Sequence, residues 1–235
     1  MYKRQAFRYA VDRRPGPVFL ELPPDILGVK SEESLAPMPR RTTRNYAAQP
    51  DDADLKAAAQ IINNAKNPLF IGGSGVRFSG KSDALKAFIE KTGIPFMLMN
   101  YGRGELPDSH SHSVMDMGSV GLMFGLPQTD VLIAAGLRFN WLLMSGSLIP
   151  AATKVVRIDI DPHEIDRNRM ADAGLVGDVG SVLEQLTPLA DKKDHSAWSE
   201  TLKAAGRSLL DYDLRTRETA TAPIHPVRLV AKITK

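Results

Sequence analysis

The feature that most constrains this chain is an alternation of two hydrophobic periods across residues 51–190. Apolar residues at helical spacing alternate with short runs that are apolar throughout and end in Gly, Asn or Asp. Runs buried on both faces are typical of parallel strands covered by helices. Helices are predicted at 51–67, 81–93, 119–129 and 179–190, and strands at 68–73, 94–100, 130–136, 154–161 and 174–178. We therefore expect an α/β fold, a doubly wound, Rossmann-like parallel sheet with helices on both faces.

Composition excludes several classes of protein. The 235 residues are 43% hydrophobic and 24% charged, with a formal net charge of only +3. No basic block is interleaved with aromatic residues, so we expect no nucleic-acid partner. The longest apolar runs are far too short to cross a bilayer, and the N-terminus lacks the apolar core of a signal peptide. The absence of cysteine excludes disulfides and thiolate metal sites. A soluble cytoplasmic protein without a membrane partner is the expectation.

The two ends have a different character from the alternating stretch. Residues 1–28 contain a predicted helix, a "PGP" turn and a predicted strand, "VFLEL" (18–22), and residues 29–50 have the composition of a linker. Residues 191–235 comprise a predicted amphipathic helix, a polar tail and the start of another helix. We expect both ends to lie outside the central sheet and to be less protected than residues 51–190.

Two carboxylates stand at the end of one predicted strand. In "VVRIDIDPHEID" (155–166), Asp159 and Asp161 follow a β-branched run. Ligands of open α/β sheets bind outside the carboxyl ends of the strands, where an acidic residue commonly accepts ribose hydroxyls. For Asp161 the favoured interpretation is an N-cap before Pro162. For Asp159, a ribose acceptor and a solvated strand end remain open, and Asp178 is predicted to be at least an N-cap.

A glycine-rich stretch, "GGSGVRFSG" (72–80), follows the first strand and precedes a helix. Gly72, Gly73 and Gly75 could cradle a phosphate, with Arg77 pairing with it. The spacing departs from G-x-G-x-x-G, and glycines that only turn the chain are the commoner case.

The segment "GLRFNW" (136–141) indicates a ligand site more specifically. Gly136 ends a buried strand, and Arg138 follows it at the edge where a planar donor fork suits a phosphate or carboxylate. Asn140 and Trp141 could border an adenine, or they could cap and pack the next segment, and for Trp141 the core is the favoured interpretation.

A metal-binding interpretation of "PDSHSHSVMD" (107–116) rests on Asp108, His110, His112 and Asp116. Histidine and aspartate are common in loops, and no supporting partner can be identified, so we expect no metal site here.

Several segments resemble one enzyme family in the right order. "RRPGPVFLELPPDILG" (13–28) is similar to the end of the pyrimidine-binding domain of thiamine-diphosphate-dependent enzymes. "GIPFMLMNYGRGELPDSHSHSV" (93–114) and "RIDIDPHEIDRNRMADAGLVGDV" (157–179) resemble their central domain, and "PIHPVRLV" (223–230) the entry to their diphosphate-binding domain. The resemblance is to the acetolactate synthase, oxalyl-CoA decarboxylase and 2-hydroxyacyl-CoA lyase group. "AAGLRFNWLLMSG" (134–146) is most similar to its acyl-CoA branch.

The resemblance implies the central domain of a lyase or transferase, flanked by pieces of its neighbours. Residues 1–28 would be the remnant of one flanking domain, 29–50 a linker, 51–190 the central domain, and 191–235 a linker and the start of the next domain. The full-length enzyme would use thiamine diphosphate and magnesium and would form a homo-oligomer, a dimer or tetramer. The family's catalytic glutamate lies upstream of the segments matched here, and no Gly-Asp-Gly magnesium motif occurs. We expect this chain alone to be inactive, with no catalytic residue.

The same resemblance implies FAD or ADP binding in some central domains and no ligand in others. It favours a phosphate for Arg138, the ribose for Asp159 and an adenine pocket beside the backbone of Asp178. The alternatives are a stand-alone nucleotide-binding module without catalysis, and a structural module whose sheet only spaces its neighbours.

Overall fold

The computed structural model describes residues 2–32, 48–115, 118–206 and 222–233. The chain forms two compact units, Met1–Ala48 and Gln49–Lys235. None of the described helices is both long and apolar enough to span a membrane.

In the first unit, α1 (Tyr2–Val11) and α2 (Pro24–Leu27) flank a stretch without regular structure. The prediction of a strand at residues 18–22 is wrong, because this stretch makes no sheet pairing among the described residues. A strand needs a hydrogen-bonded neighbour, and here Phe19 leaves 89% of its surface exposed. No described residue of this unit is buried.

The second unit contains the sheet. Its strands are β1 (Pro68–Gly72), β2 (Phe96–Leu98), β3 (Val131–Ala135), β4 (Lys154–Asp159) and β5 (Ala173–Val176). Its helices are α3 (Asp52–Asn64), α4 (Ser74–Ser79), α5 (Ser82–Thr92), α6 (Gly118–Gly125), α7 (Val179–Leu189), α8 (described over 196–206) and α9 (Pro226–Ile233). Short 3-10 segments lie at Asn100–Gly102, Leu126–Gln128, Trp141–Gly146 and Pro162–Glu164.

The five strands are parallel in the order β2-β1-β3-β4-β5. The registers align the strand ends, since Gly72 lies opposite Ala135 and Ala135 lies opposite Ile158. Side chains alternate between the two faces along each strand, and both faces are covered. The predicted α/β fold with helices packed on an all-parallel sheet is confirmed.

One face of the sheet packs against α3, α5 and α7, with Phe70, Ile133 and Val156 at its centre. The other face packs against α6, the Trp141–Gly146 segment and α8, with Leu69, Leu132 and Val155 at its centre. These two apolar layers account for the continuous hydrophobic runs in the sequence.

Helix α8 corrects the expectation that everything after residue 190 lies outside the sheet unit. Trp198 and Leu202 are buried against the second face, and Trp198 Nε1 donates to the carbonyl of Pro68 at 2.8 Å. An amphipathic helix that covers an otherwise exposed sheet face belongs to that core. The division of the chain into flanking remnants, linkers and central domain stays a prediction.

Candidate functional site

The strand order places a change of direction between β1 and β3, since β2 lies on one side of β1 while β3, β4 and β5 follow on the other. In open α/β sheets the ligand crevice lies outside the carboxyl ends of the strands at such a switch point. The fold thus brings together at one edge the residues that end the strands, Gly72, Gly136, Asp159 and Asp178.

The glycine turn (residues 72–80) is closed by backbone. The N–H of Gly73 donates to the carbonyl of Ala135 at 2.9 Å, and that of Gly75 to the carbonyl of Gly136 at 3.1 Å. A Cβ on Gly75 would lie 2.5 Å from the Cα of Gly136, which itself has a φ of +54°. These glycines are required for close approach of two chain segments, and two of the N–H groups expected to cradle a phosphate already have partners.

Arg77 lies on the short helix α4 within this turn. Its side chain is more than half exposed, and its Nη1 lies 3.9 Å from Glu105 Oε1. This placement matches the solvated alternative better than a phosphate contact, and its role as a binding residue stays a prediction.

Arg138 lies directly after β3 and is held by a carboxylate. Its Nε lies 3.0 Å from Oε1 of Glu164, and Arg167 Nη1 lies 3.2 Å from the same oxygen. The side chain of Glu164 is 3% exposed, whereas that of Arg138 is 48% exposed. Arg138 lies at the predicted edge of the sheet, and Glu164 reaches it from the turn after β4.

Next to this pair lies a buried arginine, Arg157, which was not among the predicted site residues. Arg157, in the middle of β4, is 1% exposed. It donates to the carbonyls of Leu137 and Arg167, both at 3.1 Å, and its guanidinium carbon lies 4.2 Å from the centre of the Phe139 ring. Burial lowers the pKa of Arg157, and the nearby carboxylates of Asp159, Glu164 and Asp166 oppose this shift.

Arg157 thereby ties the loop after β3 to the charged turn (residues 159–169). Asn168 adds a second tie, because its side-chain amide donates to the carbonyl of Phe139 at 2.7 Å. An arginine inside the apolar run "VVRID" was the signal in the sequence, since a charge in a buried strand must have partners.

Asp159 ends β4 and is 7% exposed. Its carboxylate accepts the backbone N–H of Asp161 at 3.0 Å, so it shapes the first residues of the charged turn. The alternative of a solvated strand end is wrong, because the side chain is buried. Its role as ribose acceptor stays a prediction.

Both predicted caps are present. Asp161 accepts the N–H of His163 at 3.1 Å and begins the 3-10 segment Pro162–Glu164, a turn rather than the longer helix expected. Asp178 accepts from the N–H and Oγ of Ser181 and from Ser79 Oγ, all at 2.9 Å. This carboxylate both caps α7 and joins it to α4.

Asn140 and Trp141 begin the segment that follows Arg138. Asn140 Oδ1 accepts the N–H of Leu142 at 3.0 Å, which is the capping role considered for it. Trp141 is 77% exposed, so the prediction that it packs in the core is wrong. Leu143 is buried instead, and the two residues after it, Met144 and Ser145, have positive φ.

The loop that contains His110 and His112 (residues 107–115) lies beside the start of β2, away from this edge. His110 accepts the backbone N–H of His112 through Nδ1 and packs against Phe96. Burial and the neighbouring His110 lower the pKa of His112. The described residues contain no group of three or more side chains placed to hold a metal ion, and Asp116 lies outside them.

With the geometry established, comparison with known proteins identifies the fold family. Residues 55–186 match the family model "Thiamine pyrophosphate enzyme, central domain". The chain belongs to this family. Thiamine pyrophosphate is another name for thiamine diphosphate, so the family resemblance found in the sequence is confirmed.

Relatives agree with this assignment. Oxalyl-CoA decarboxylase of Escherichia coli (strain K12) is 34% identical over 195 residues, 82% of this chain and 34% of the relative. Acetolactate synthase of Mycobacterium leprae is 36% identical over 188 residues, 77% of this chain and 30% of the relative. A solved Mycobacterium smegmatis protein, described as a thiamin diphosphate-dependent enzyme, is 29% identical with a TM-score of 0.68, over 83% of this chain and 38% of that one. The chain spans about a third of the length of these relatives.

Proposed function

We propose that this chain is the central domain of a thiamine-diphosphate-dependent enzyme that forms or breaks a C–C bond next to a carbonyl. The proposal is supported by the family match and by the two kinds of relative, a decarboxylase of an acyl-CoA and a synthase of acetolactate. In such enzymes the thiazolium carbon of the cofactor accepts the electrons released at the carbonyl carbon. The catalytic groups for that step are proposed to lie in the flanking domains, and the proposed part of this chain is to place those domains and to bind a nucleotide.

The nucleotide is proposed to be an adenine nucleotide, FAD or ADP, at the carboxyl edge between β3 and β4. The observation that carries this proposal is Arg138, a half-exposed arginine whose Nε is held by Glu164 at the edge of the sheet. The residues fit the ligand chemically, since a guanidinium suits a phosphate and the carboxylate of Asp159 suits a ribose hydroxyl. Access to Asp159 would require the turn after β4 to shift, because its side chain is buried.

Thermal unfolding with FAD, ADP and CoA tests the nucleotide proposal. A nucleotide that binds the folded chain stabilises it by about 2.7 kcal/mol at a hundredfold excess over its dissociation constant. Arg138→Ala should abolish that gain. Arg167→Ala is the matched control, since it removes the other cation on Glu164 and should leave the gain in place.

No shift with any of the three nucleotides at millimolar concentration would contradict the proposal and favour a structural module. Equal loss in both arginine variants would assign the effect to Glu164 rather than to a phosphate contact of Arg138.

Catalysis is proposed to depend on the flanking domains, so this chain alone should neither bind thiamine diphosphate with magnesium nor decarboxylate a 2-keto acid or an acyl-CoA. The supporting observation is that the sequence contains no Gly-Asp-Gly motif. Isothermal titration of the chain with thiamine diphosphate and magnesium is the test, and micromolar binding would contradict the proposal.

The partners proposed are the flanking domains of the same enzyme and further copies of it in a dimer or tetramer. Support comes from the first unit, whose apolar side chains, Phe19 among them, are exposed. Apolar surface of this kind marks interaction sites. Sedimentation of the chain, with and without residues 1–48, would show whether these residues drive self-association.

A further inference from the structure

Glu164 is a buried carboxylate at the carboxyl edge of the sheet. It lies in the 3-10 segment Pro162–Glu164, and only 2% of its surface is exposed. Burial of an ionised carboxylate is costly unless cations compensate for it. Arg138 and Arg167 both contact its Oε1, and the charge of Arg157 lies close enough to be affected by it.

The way Arg138 meets this carboxylate leaves its phosphate-binding atoms available. Glu164 engages Nε, at 3.0 Å. A guanidinium has five N–H donors in one plane; the carboxylate lies nearest to Nε, and the two terminal amino groups form no hydrogen bond with any described residue. Almost half of the Arg138 side chain remains exposed to solvent.

The loop that carries Arg138 is held by hydrogen bonds from two side chains, those of Arg157 and Asn168. Arg157 holds the carbonyl of Leu137 and Asn168 that of Phe139, so the residues on both sides of Arg138 are tied to the charged turn. The backbone and the Nε atom of Arg138 are thus both held by residues 157–168.

We propose that Glu164 is a positioning residue for Arg138, which holds the guanidinium plane so that its two terminal amino groups face the phosphate of the adenine nucleotide. The use of this geometry rests on the proposed function, whereas the contact itself does not. Loss of the carboxylate should leave Arg138 in place but let its guanidinium rotate.

The contact is tested without ligand by NMR of the arginine Nε–Hε groups of the whole chain. The Arg138 signal, assigned by its loss in Arg138→Lys, should be shifted and slow to exchange. In Glu164→Gln it should move toward the position of exposed arginines. Glu184→Gln is the matched control, because Glu184 forms an exposed ion pair with Lys81. An Arg138 signal unchanged in Glu164→Gln would overturn the proposal.

The consequence for binding is tested by titration with ADP and with adenosine, which lacks the phosphates. Glu164→Gln should weaken ADP about tenfold, the scale of one charged hydrogen bond, and leave adenosine unchanged. In an Arg138→Ala background the same substitution should have no further effect on ADP, which a general loss of structure would not reproduce. Equal weakening of ADP and adenosine would overturn the positioning role. If the unmodified chain binds neither ADP nor FAD, the nucleotide proposal fails, and the NMR result alone decides the Glu164–Arg138 contact.

Discussion

Two turns at the same edge of the sheet are built in opposite ways. In the glycine turn, main-chain atoms contact the main chain at the end of β3 directly. The N–H groups of Gly73 and Gly75 donate to the carbonyls of Ala135 and Gly136. In the charged turn, side chains make the contacts: Asp159 and Asp161 accept N–H groups, and Glu164 meets two arginines. The first turn has no room for even a methyl group at Gly75, or at Gly136 opposite it, while Glu164 of the second turn contacts the half-exposed side chain of Arg138.

The difference indicates which turn is suited to a ligand. Backbone groups that already pair with backbone cannot serve a phosphate without breaking the local fold. Side chains can exchange a neighbour for a ligand with small rotations. The glycine turn therefore maintains the approach of β1 to β3, and the charged turn supplies Asp159 and the carboxylate of Glu164 that contacts Arg138.

The largest effect is expected at the closest backbone approach. Gly136→Ala places a Cβ against Gly75 at a φ of +54° and should lower the free energy of unfolding by about 3 kcal/mol or more. Urea unfolding measures it. Gly80→Ala is the matched control, because Gly80 also has positive φ, +65°, but open space around it. It should lose only about 1 kcal/mol. Equal losses would mean that the contact between the two chain segments does not contribute to stability.

The next effect concerns the arginine beneath the charged turn. Arg157→Met keeps most of the volume but leaves the carbonyls of Leu137 and Arg167 without their donor, and should destabilise the fold by about 2 kcal/mol. Relief of the buried charge acts in the opposite direction. Chemical denaturation shows which of these two effects is larger. A variant as stable as the parent would show that the desolvation cost of Arg157 offsets its hydrogen bonds.

The two aspartate caps provide a smaller test. Asp178→Ala removes the N-cap of α7 together with its link to Ser79, and should cost about 1 kcal/mol. Asp161→Ala removes a cap from a single 3-10 turn and should cost less. Thermal midpoints measured at one pH give the order of the two losses. A larger loss in Asp161→Ala would indicate that the cap of the charged turn contributes more to stability than the cap of α7.

The smallest effect is a dependence on pH, which contacts made by side chains can show and backbone contacts cannot. His195, buried just before α8, has its pKa lowered by burial, which the backbone of Lys66 opposes. Because the unfolded chain then binds the proton more readily, stability is fully present above the ordinary pKa of about 6.5 and falls as pH drops through the folded-state pKa. His195→Gln should flatten the stability profile in that range. An unchanged profile would exclude His195 as its source.

Much of the architecture follows from local pattern. The strand β1 and helix α5 lie where their apolar periods place them, and α5 ends at Gly93 as its sequence indicates. The caps Asp161 and Asp178 also follow from residue type and position. These features depend on a few neighbouring residues, so the sequence displays them directly.

Other features depend on partners that are distant in sequence. In the sequence, Glu164 only follows the predicted cap Asp161. The fold brings it to within 3.0 Å of Arg138, which lies 26 positions earlier. Trp141 was expected in the core, but it is exposed, and Leu143 two residues later is buried instead, in a segment where Met144 and Ser145 have positive φ. The strand predicted at residues 18–22 would have required a neighbour that the described residues do not supply.

The contrast between the two tryptophans has an optical consequence. The chain contains two, Trp198 at 7% exposure against the sheet and Trp141 at 77% exposure three residues after Arg138. An indole in an apolar layer emits at shorter wavelength than one in water and is shielded from dissolved quenchers. Each substitution Trp→Phe would leave one emitter, so the chain has separate intrinsic fluorophores for the docking of α8 and for events at the carboxyl edge, with no dye attached.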